Sequence, residues 1–457
     1  MTPTLRPYQQ ESIASIRAEY RAGRRRVLFV LPTGGGKTVV FSHVAQQAAG
    51  RGNRVLILVH RVELLDQACR SLAAMGVAHA AIAAGRPMDL TQLVQVASVQ
   101  TVARRLAHLP ADLFQLVIVD EAHHATAGTW QQVLEHLHSA RVLGVTATPC
   151  RTDGRGLGEQ FEAMILGPSP AWLTDHGYLA PARVFCPPGF DATGLHRRMG
   201  DFDPREAAAR VQVGDAVSHY RTHLAQQTAI AFCCTVAHAE AVAAAFQSEG
   251  IAAASIDGRM DASTRRHLLE QLGAGELKVL TSCSLIGEGV DVPSVAGCLL
   301  LRPTQSLSLH LQMIGRCLRP QSGKVAVILD HVGNIPRLGH HLDPQDWTLD
   351  GVHRRAKDAA ASVKVCPSCF AAAPGQAATC ENCGHLFTAE TKPRGLERID
   401  GTLEEIHAGQ PVAARKREQG RAQTLEELIA VGQRRGMRNA HGWARHVLAA
   451  RQSRRAA

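Results

Sequence analysis

The densest chemistry in the sequence is Pro32-Thr33-Gly34-Gly35-Gly36-Lys37-Thr38, set between the apolar run VLFVL at 27–31 and the helix-forming run VVFSHVAQQAA. Three glycines let the backbone fold into a nest of N–H donors around phosphate oxygens, and the helix N-terminus adds positive potential. In such a loop Thr33 and Gly34 to Gly36 form the cradle. Lys37 reaches the β- and γ-phosphates, and Thr38 offers its hydroxyl to Mg²⁺. The strict pattern places a glycine six residues before the lysine, and Leu31 stands there instead.

A carboxylate pair, Asp120-Glu121, follows the apolar run LVIV and lies 83 residues beyond Lys37. Carboxylates at the C-terminal end of a buried parallel strand sit where open α/β sheets bind ligands. There Asp120 can hold Mg²⁺ and Glu121 can orient or deprotonate an attacking water. Acidic pairs at helix starts are common, so the pair gains meaning only as the partner of Lys37.

A third cluster is made of cysteines: Cys366-x₂-Cys369 and Cys380-x₂-Cys383, ten residues apart. Two such knuckles present four thiolates to one tetrahedral Zn²⁺, leaving no position for catalytic water, so the expected site is structural. A redox dithiol would explain one Cys-x₂-Cys but not a matched pair, and His385 is a near but superfluous ligand. The other eight of the twelve cysteines are scattered, several in apolar runs such as AIAFCCT at 229–235, and read as small core residues.

Short apolar runs must hold these residues in place. VLFVL, VLILV at 55–59, LVIVD at 116–120 and VLGVT at 142–146 form one series. AIAFC at 229–233, KVLTS at 278–282, CLLL at 298–301 and VAVIL at 325–329 form a second. Unbroken apolar runs at helix-sized intervals suit parallel strands buried on both faces. The expected fold is therefore α/β, two tandem domains with parallel sheets, followed by a small zinc ribbon and a helical basic tail. The expected boundaries are 1–180, 181–340, 341–390 for linker and ribbon, and 391–457, with a helical stretch near His353–Val363. In the tail, TLEELIAVGQRRG reads as a helix stopped by Gly436, followed by a second helix from about Gly442 to Arg451.

The 457 residues carry a formal charge of +10, and residues 392–457 hold 14 Lys+Arg against 7 Asp+Glu, or +7 of it. That balance favours a polyanionic partner. Arg434, Arg435, Arg438 and Arg445 can line a phosphate path, with Trp443 either stacking on a base or packing between helices. No secretory signal is visible at the N-terminus, and no stretch approaches the ~18 apolar residues of a membrane span. The expected location is the cytoplasm.

Across residues 5–335 the sequence resembles the superfamily 2 helicases, with nearly all their motifs in order, which implies that the two α/β domains are RecA-like. LRPYQQ at 5–10 resembles the adenine-recognition element, which implies base contacts from Tyr8 and Gln9. LVHRVELLDQ at 58–67 and ASVQTVARR at 97–105 resemble the motifs that track a nucleic-acid backbone, implying roles for His60, Arg61, Gln100 and Thr101. DEAH at 120–123 and TATP at 146–149 resemble the hydrolysis and coupling motifs, implying coupling roles for His123, Thr146 and Thr148. FCCTVAHAE resembles motif IV, GEGVDVP at 287–293 motif V with Gly289 and Asp291 near the ribose, and QMIGRCLRP at 312–320 motif VI with Gln312 as a coupling residue. Arg316 and Arg319, three apart, would share one helix face and serve as arginine fingers from the second domain.

QMIGRCLRP differs from the QRxGRxGR form of RNA-processing DEAH proteins. The LRPYQ opening, RTDGRGLGEQF at 151–161 and GEGVDVP look instead like the group containing restriction-enzyme motor subunits and RadD-type DNA-repair helicases. The resemblance implies an ATP-dependent DNA helicase or translocase in repair, recombination or phage replication, bacterial or phage-encoded and nucleoid-associated, using ATP, Mg²⁺ and Zn²⁺. Its DNA contacts would be mainly to phosphates, with little sequence preference, and the ribbon or tail could engage a protein partner. The alternatives are the motor subunit of a restriction or defence complex, an ATP-gated nucleic-acid clamp, and, less favoured, an RNA helicase.

Overall fold

The computed structural model describes residues 4–125, 128–151, 155–187, 190–198, 200–211, 213–283, 295–352 and 363–387, with 422, 424–434 and most of 440–448 in the tail. Residues to Thr388 form one compact unit and those from Ala389 a second.

The first unit holds two parallel sheets. The first contains β1 (Arg26–Val30), β2 (Val55–Val59), β3 (His79–Ile82), β4 (Val94–Ser98), β5 (Leu116–Asp120), β6 (Arg141–Thr146) and β7 (Ala163–Leu166), in the order β3-β4-β2-β5-β6-β1-β7. The second contains β8 (Ala182–Phe185) and, after a small hairpin of β9 (Arg197–Arg198) and β10 (Asp201–Phe202), the strands β11 (Ala229–Phe232), β12 (Ala253–Ile256), β13 (Val279–Ser282), β14 (Gly297–Leu300) and β15 (Ala326–Asp330). Its order is β12-β13-β11-β14-β15-β8. The central strands β2 and β5 are buried along their whole length, as β-branched and leucine residues with helices on both faces require.

Both apolar series are strands, and the chain passes from one sheet to the other through 167–181. The start of the segment expected to be linker builds a hairpin of β16 (Trp347–Thr348) and β17 (Gly351–Val352). Trp347 and Leu349 of that hairpin pack against the apolar core of the first lobe. The expected helix near His353–Val363 lies almost wholly outside the described residues, as do Gly436, Arg435, Arg438 and Trp443.

The four cysteines sit on a ribbon whose strands are β18 (Val363–Val365) and β19 (Ala372–Pro374). This ribbon is docked on the second lobe. Phe185 of β8 bridges Ala371, the Cys186 N–H donates to the Phe370 carbonyl at 2.8 Å, and the Arg183 guanidinium donates to Asn382 Oδ1 at 2.7 Å.

In the second unit, helix Leu425–Arg434 is capped by reciprocal bonds between Thr424 and Glu427. It packs Leu428 and Val431 against Ala444.

Candidate nucleotide site and interlobe cleft

Strand β1 ends in the glycine loop, and the helix that follows, Lys37–Ala49, starts at the lysine. Gly34 and Gly36 have φ of +87° and +89°, a region that side chains rarely enter. A Cβ at Gly36 would lie 2.5 Å from Gln9 Nε2. The Leu31 position that departs from the strict pattern is fully buried, and its carbonyl accepts from the Lys37 ammonium at 3.4 Å.

Helix Pro7–Arg21 closes on this loop. The Tyr8 hydroxyl donates to the Gly35 carbonyl at 2.7 Å, and Gln9 Nε2 donates to the same oxygen at 3.2 Å. Gln9 Oε1 accepts the Arg6 N–H at 2.9 Å. Both ends of the Gln9 amide are thus engaged within the protein, tying the N-terminal helix to the phosphate loop. Tyr8 also meets two rings that the sequence reading missed, Tyr178 at 5.1 Å and Trp172 at 5.9 Å, with the Arg6 guanidinium 4.8 Å from the Tyr178 ring centre. These rings come from a connection without periodicity, so no pattern in the sequence singled them out.

Asp120 and Glu121 stand at the C-terminal end of β5, beside Lys37. Burial, and then the neighbouring Glu121 carboxylate, push Asp120 up to about 7, while Lys37 opposes the shift. Burial holds Lys37 below the usual ammonium range, with both carboxylates acting against it and Arg316 and Arg319 reinforcing it. Glu121 adopts φ of +49°, and its Oε2 is buried with no hydrogen-bond donor, 3.5 Å from His123 Nδ1. A buried carboxylate oxygen lacking a donor, beside a second buried acid and a buried lysine, fits a centre built for a nucleotide, a divalent cation and a water. Thr38 and Asp120 are the residues that would hold Mg²⁺, which when bound neutralises phosphate charge.

Polar contacts lead from Glu121 to the other lobe. His123 Nδ1 lies 3.1 Å from Thr146 Oγ1, which donates to the Thr148 carbonyl at 2.9 Å. Thr148 Oγ1 lies 2.5 Å from Ser308 Oγ on helix Leu307–Gly315 of the second lobe. Gln312, buried on the same helix, leaves its Nε2 without an acceptor. Gly315 presses on Thr33 so closely that a Cβ there would come within 2.5 Å of the threonine Cβ. The sequence expectation of a shared helix face for Arg316 and Arg319 is corrected. The helix ends at Gly315, with Arg316 as its cap and Arg319 in the irregular segment beyond. Both guanidinium charges nevertheless act on Lys37.

Among the expected backbone-tracking residues, Gln100 Nε2 donates to the His60 carbonyl at 3.4 Å, and Arg61 precedes helix Val62–Ala74. Thr101 is buried in helix Val99–Arg104. Gly289 and Asp291 lie outside the described residues. A further bridge between the lobes joins Arg265 to Glu63 at 2.7 Å.

The cysteine sulfurs converge within 4.8 Å of one another, with Cys366–Cys383 and Cys369–Cys380 both at 3.7 Å. A Zn–S bond of about 2.3 Å implies a tetrahedral edge near ~3.8 Å, so the donor set fits Zn²⁺. Phe370 and Gly384, each just past a knuckle, have φ of +61° and +75°, as such tight turns require. His385 lies edge-on to Phe387 with ring centres 5.8 Å apart.

Comparison with known proteins agrees with this geometry. Residues 2–151 match the family model of the type III restriction enzyme res subunit, and residues 213–321 that of the helicase conserved C-terminal domain. A 51.5 kDa protein of a Lactococcus phage is 35% identical over 82% of this chain and 81% of its own length. A Saccharomyces cerevisiae protein described as a candidate ATP-dependent helicase, IRC3, is 30% identical over 74% of this chain, which spans about half (52%) of that protein. The fold is similar to the fragment structure of a candidate HsdR subunit of a type I restriction enzyme from Vibrio vulnificus (TM-score 0.60, 24% identity, 74% of this chain and 67% of that one). The chain belongs to the superfamily 2 helicases, the nucleic-acid-dependent ATPases that include the restriction-enzyme motor subunits.

Proposed function

We propose that this protein is a DNA translocase or helicase that hydrolyses ATP between its two lobes. The supporting observation is that Lys37 feels Asp120 and Glu121 from its own lobe and Arg316 and Arg319 from the other. In this reading Lys37 and Thr33 to Thr38 hold the phosphates, Glu121 prepares the water, and the two arginines stabilise charge in the transition state. The adenine sits near Tyr8, Gln9 and the exposed ring of Trp172. The relay through His123, Thr146, Thr148, Ser308 and Gln312 couples hydrolysis to lobe movement. His60, Arg61 and Gln100 touch the phosphates of the tracked strand. Zn²⁺ on the four cysteines holds the ribbon against the second lobe.

DNA is favoured over RNA by the match to a restriction-enzyme subunit family and by the QMIGRCLRP form of the arginine motif. The setting is DNA repair, recombination or phage replication in a bacterial cytoplasm. A second reading, the motor of a restriction or defence complex, draws on the same family match and requires a separate nuclease. The test is ATP-dependent displacement of a third strand from a DNA triplex. Displacement by the wild type and none by Lys37→Ala supports translocation. DNA-stimulated hydrolysis without displacement would favour an ATP-gated clamp.

A further inference from the structure

The end of the first sheet away from the phosphate loop carries a groove of about 710 Å³. Its walls come from segments distant in sequence. Arg17 and Arg21 lie on helix Pro7–Arg21, Arg24 and Arg25 on the turn before β1, Arg51 after helix Lys37–Ala49, and Arg141 at the start of β6. No aspartate or glutamate lines it, and among the described residues no carboxylate forms an ion pair with any of the six. The nearby Glu162 accepts the Arg25 backbone N–H at 2.8 Å instead. Buried Ile13, Ile16 and Leu116 form an apolar floor.

The groove sits at the N-terminal ends of β1, β2, β5 and β6, whereas the nucleotide-site residues sit at the C-terminal ends of β1, β5 and β6. Five-residue strands at ~3.3 Å per residue put ~16 Å of sheet between the two. The arginines therefore cannot serve the ATP phosphates. Five of them, all but Arg17, are exposed. Mutually repelling guanidinium groups around one concavity are costly unless an anion or counterions compensate. Some are already oriented: Arg25 donates to the Ser139 and His138 carbonyls, and Arg141 lies 5.6 Å from the Tyr20 ring centre.

We propose that this groove is a second binding site for the phosphodiester backbone of a nucleic acid, separate from the track across the motor motifs. Its open, multi-arginine form suits a run of several phosphates, and releasing their counterions is the main driving force of such binding. A second hold on the polymer keeps the protein attached while the cleft opens. The proposal uses the motor reading only to choose DNA as the polymer; the arginine arrangement stands without it.

The test compares full-length wild type with Arg21→Ala/Arg24→Ala/Arg51→Ala, three exposed side chains that make no hydrogen bond among the described residues. A lysine triple at the same positions keeps the charge. Binding of a labelled duplex is measured without ATP over a salt series, so the result stands even if no polymer stimulates hydrolysis. The alanine variant should bind more weakly, with a slope of log affinity against log salt shallower by about 2–3, and the lysine variant should keep the wild-type slope. Turnover at saturating DNA should be unchanged in both. Unchanged affinity and slope in the alanine variant, with native melting, would overturn the proposal. So would loss of tripolyphosphate binding with DNA binding intact, which would mark a small-anion site.

Discussion

The hydroxyls of Thr148 and Ser308 meet across the cleft at 2.5 Å, a polar contact joining the hydrolysis motifs of one lobe to the helix that precedes Arg316 and Arg319 in the other. Through Thr146 and His123 this contact reaches within 3.5 Å of Glu121. Replacing either hydroxyl should uncouple the lobes and leave the phosphate site intact. Ser308→Ala and Thr148→Ala are each expected to lower nucleic-acid-stimulated turnover about tenfold, with ATP affinity little changed. Because the two groups serve one contact, the double variant should lose little more than the worse single one. Fully additive losses would show that the hydroxyls act separately.

Glu121→Gln removes the charge but keeps the shape. A positioned general base contributes about 10²–10⁴ in rate, so turnover should fall by that factor while ATP and DNA still bind. Single-turnover hydrolysis is the measurement. Near-normal rates would remove Glu121 from the water-activating role.

Arg316→Ala and Arg319→Ala test whether the second lobe supplies catalysis even though Arg319 lies beyond the helix. Each is expected to lower turnover by roughly 10³ or more, since guanidinium groups at this position in related phosphoryl-transfer centres are worth about 10³–10⁵. A loss confined to ATP affinity would make them binding residues only.

Zinc removal should reach beyond the ribbon, because Phe370 and Asn382 bond directly to Cys186 and to Arg183 of β8. One zinc per chain is expected by metal analysis. A strong chelator, or Cys366→Ser, should lower the melting temperature and expose the β8 edge to amide exchange. Stoichiometric absence of zinc from protein prepared with the metal would refute a structural site.

Acid should destabilise the second lobe. Burial holds His310 down to about 4 and His331 down to about 3. Both imidazoles are neutral in the fold and bind fewer protons than in the unfolded chain, so stability rises with pH. The stabilisation is present at neutral pH and is lost as pH falls below about 6.5 toward 4, by ~3 kcal/mol for His310 alone at about 1.4 kcal/mol per unit. The melting temperature should fall between pH 7 and 5, and a flat profile would contradict the neutral assignment.

The frame of the candidate site was legible in the sequence because its demands are local. A glycine loop, a strand-end carboxylate pair and paired cysteine knuckles each carry their geometry in their spacing. The strands found were those buried on both faces. Those missed, such as HAAI of β3, AASI of β12 and ARVF of β8, are short and rich in alanine or interrupted by polar residues, and so give no apolar run. Ser308 reads as an ordinary residue of an apolar helix, and only the packing of the lobes gives its hydroxyl a partner. The docking of the ribbon on β8 and the convergence of six arginines at the far end of the first sheet are tertiary facts, assembled from segments that carry no shared signal.

Steady-state ATP hydrolysis tests the central claim most directly, measured without polymer and with single-stranded DNA, duplex DNA or RNA, with Lys37→Ala as the blank. A DNA motor should turn over slowly alone, respond strongly to DNA and weakly to RNA, and fall silent in the variant. Stronger stimulation by RNA, or turnover that no polymer changes, would contradict it.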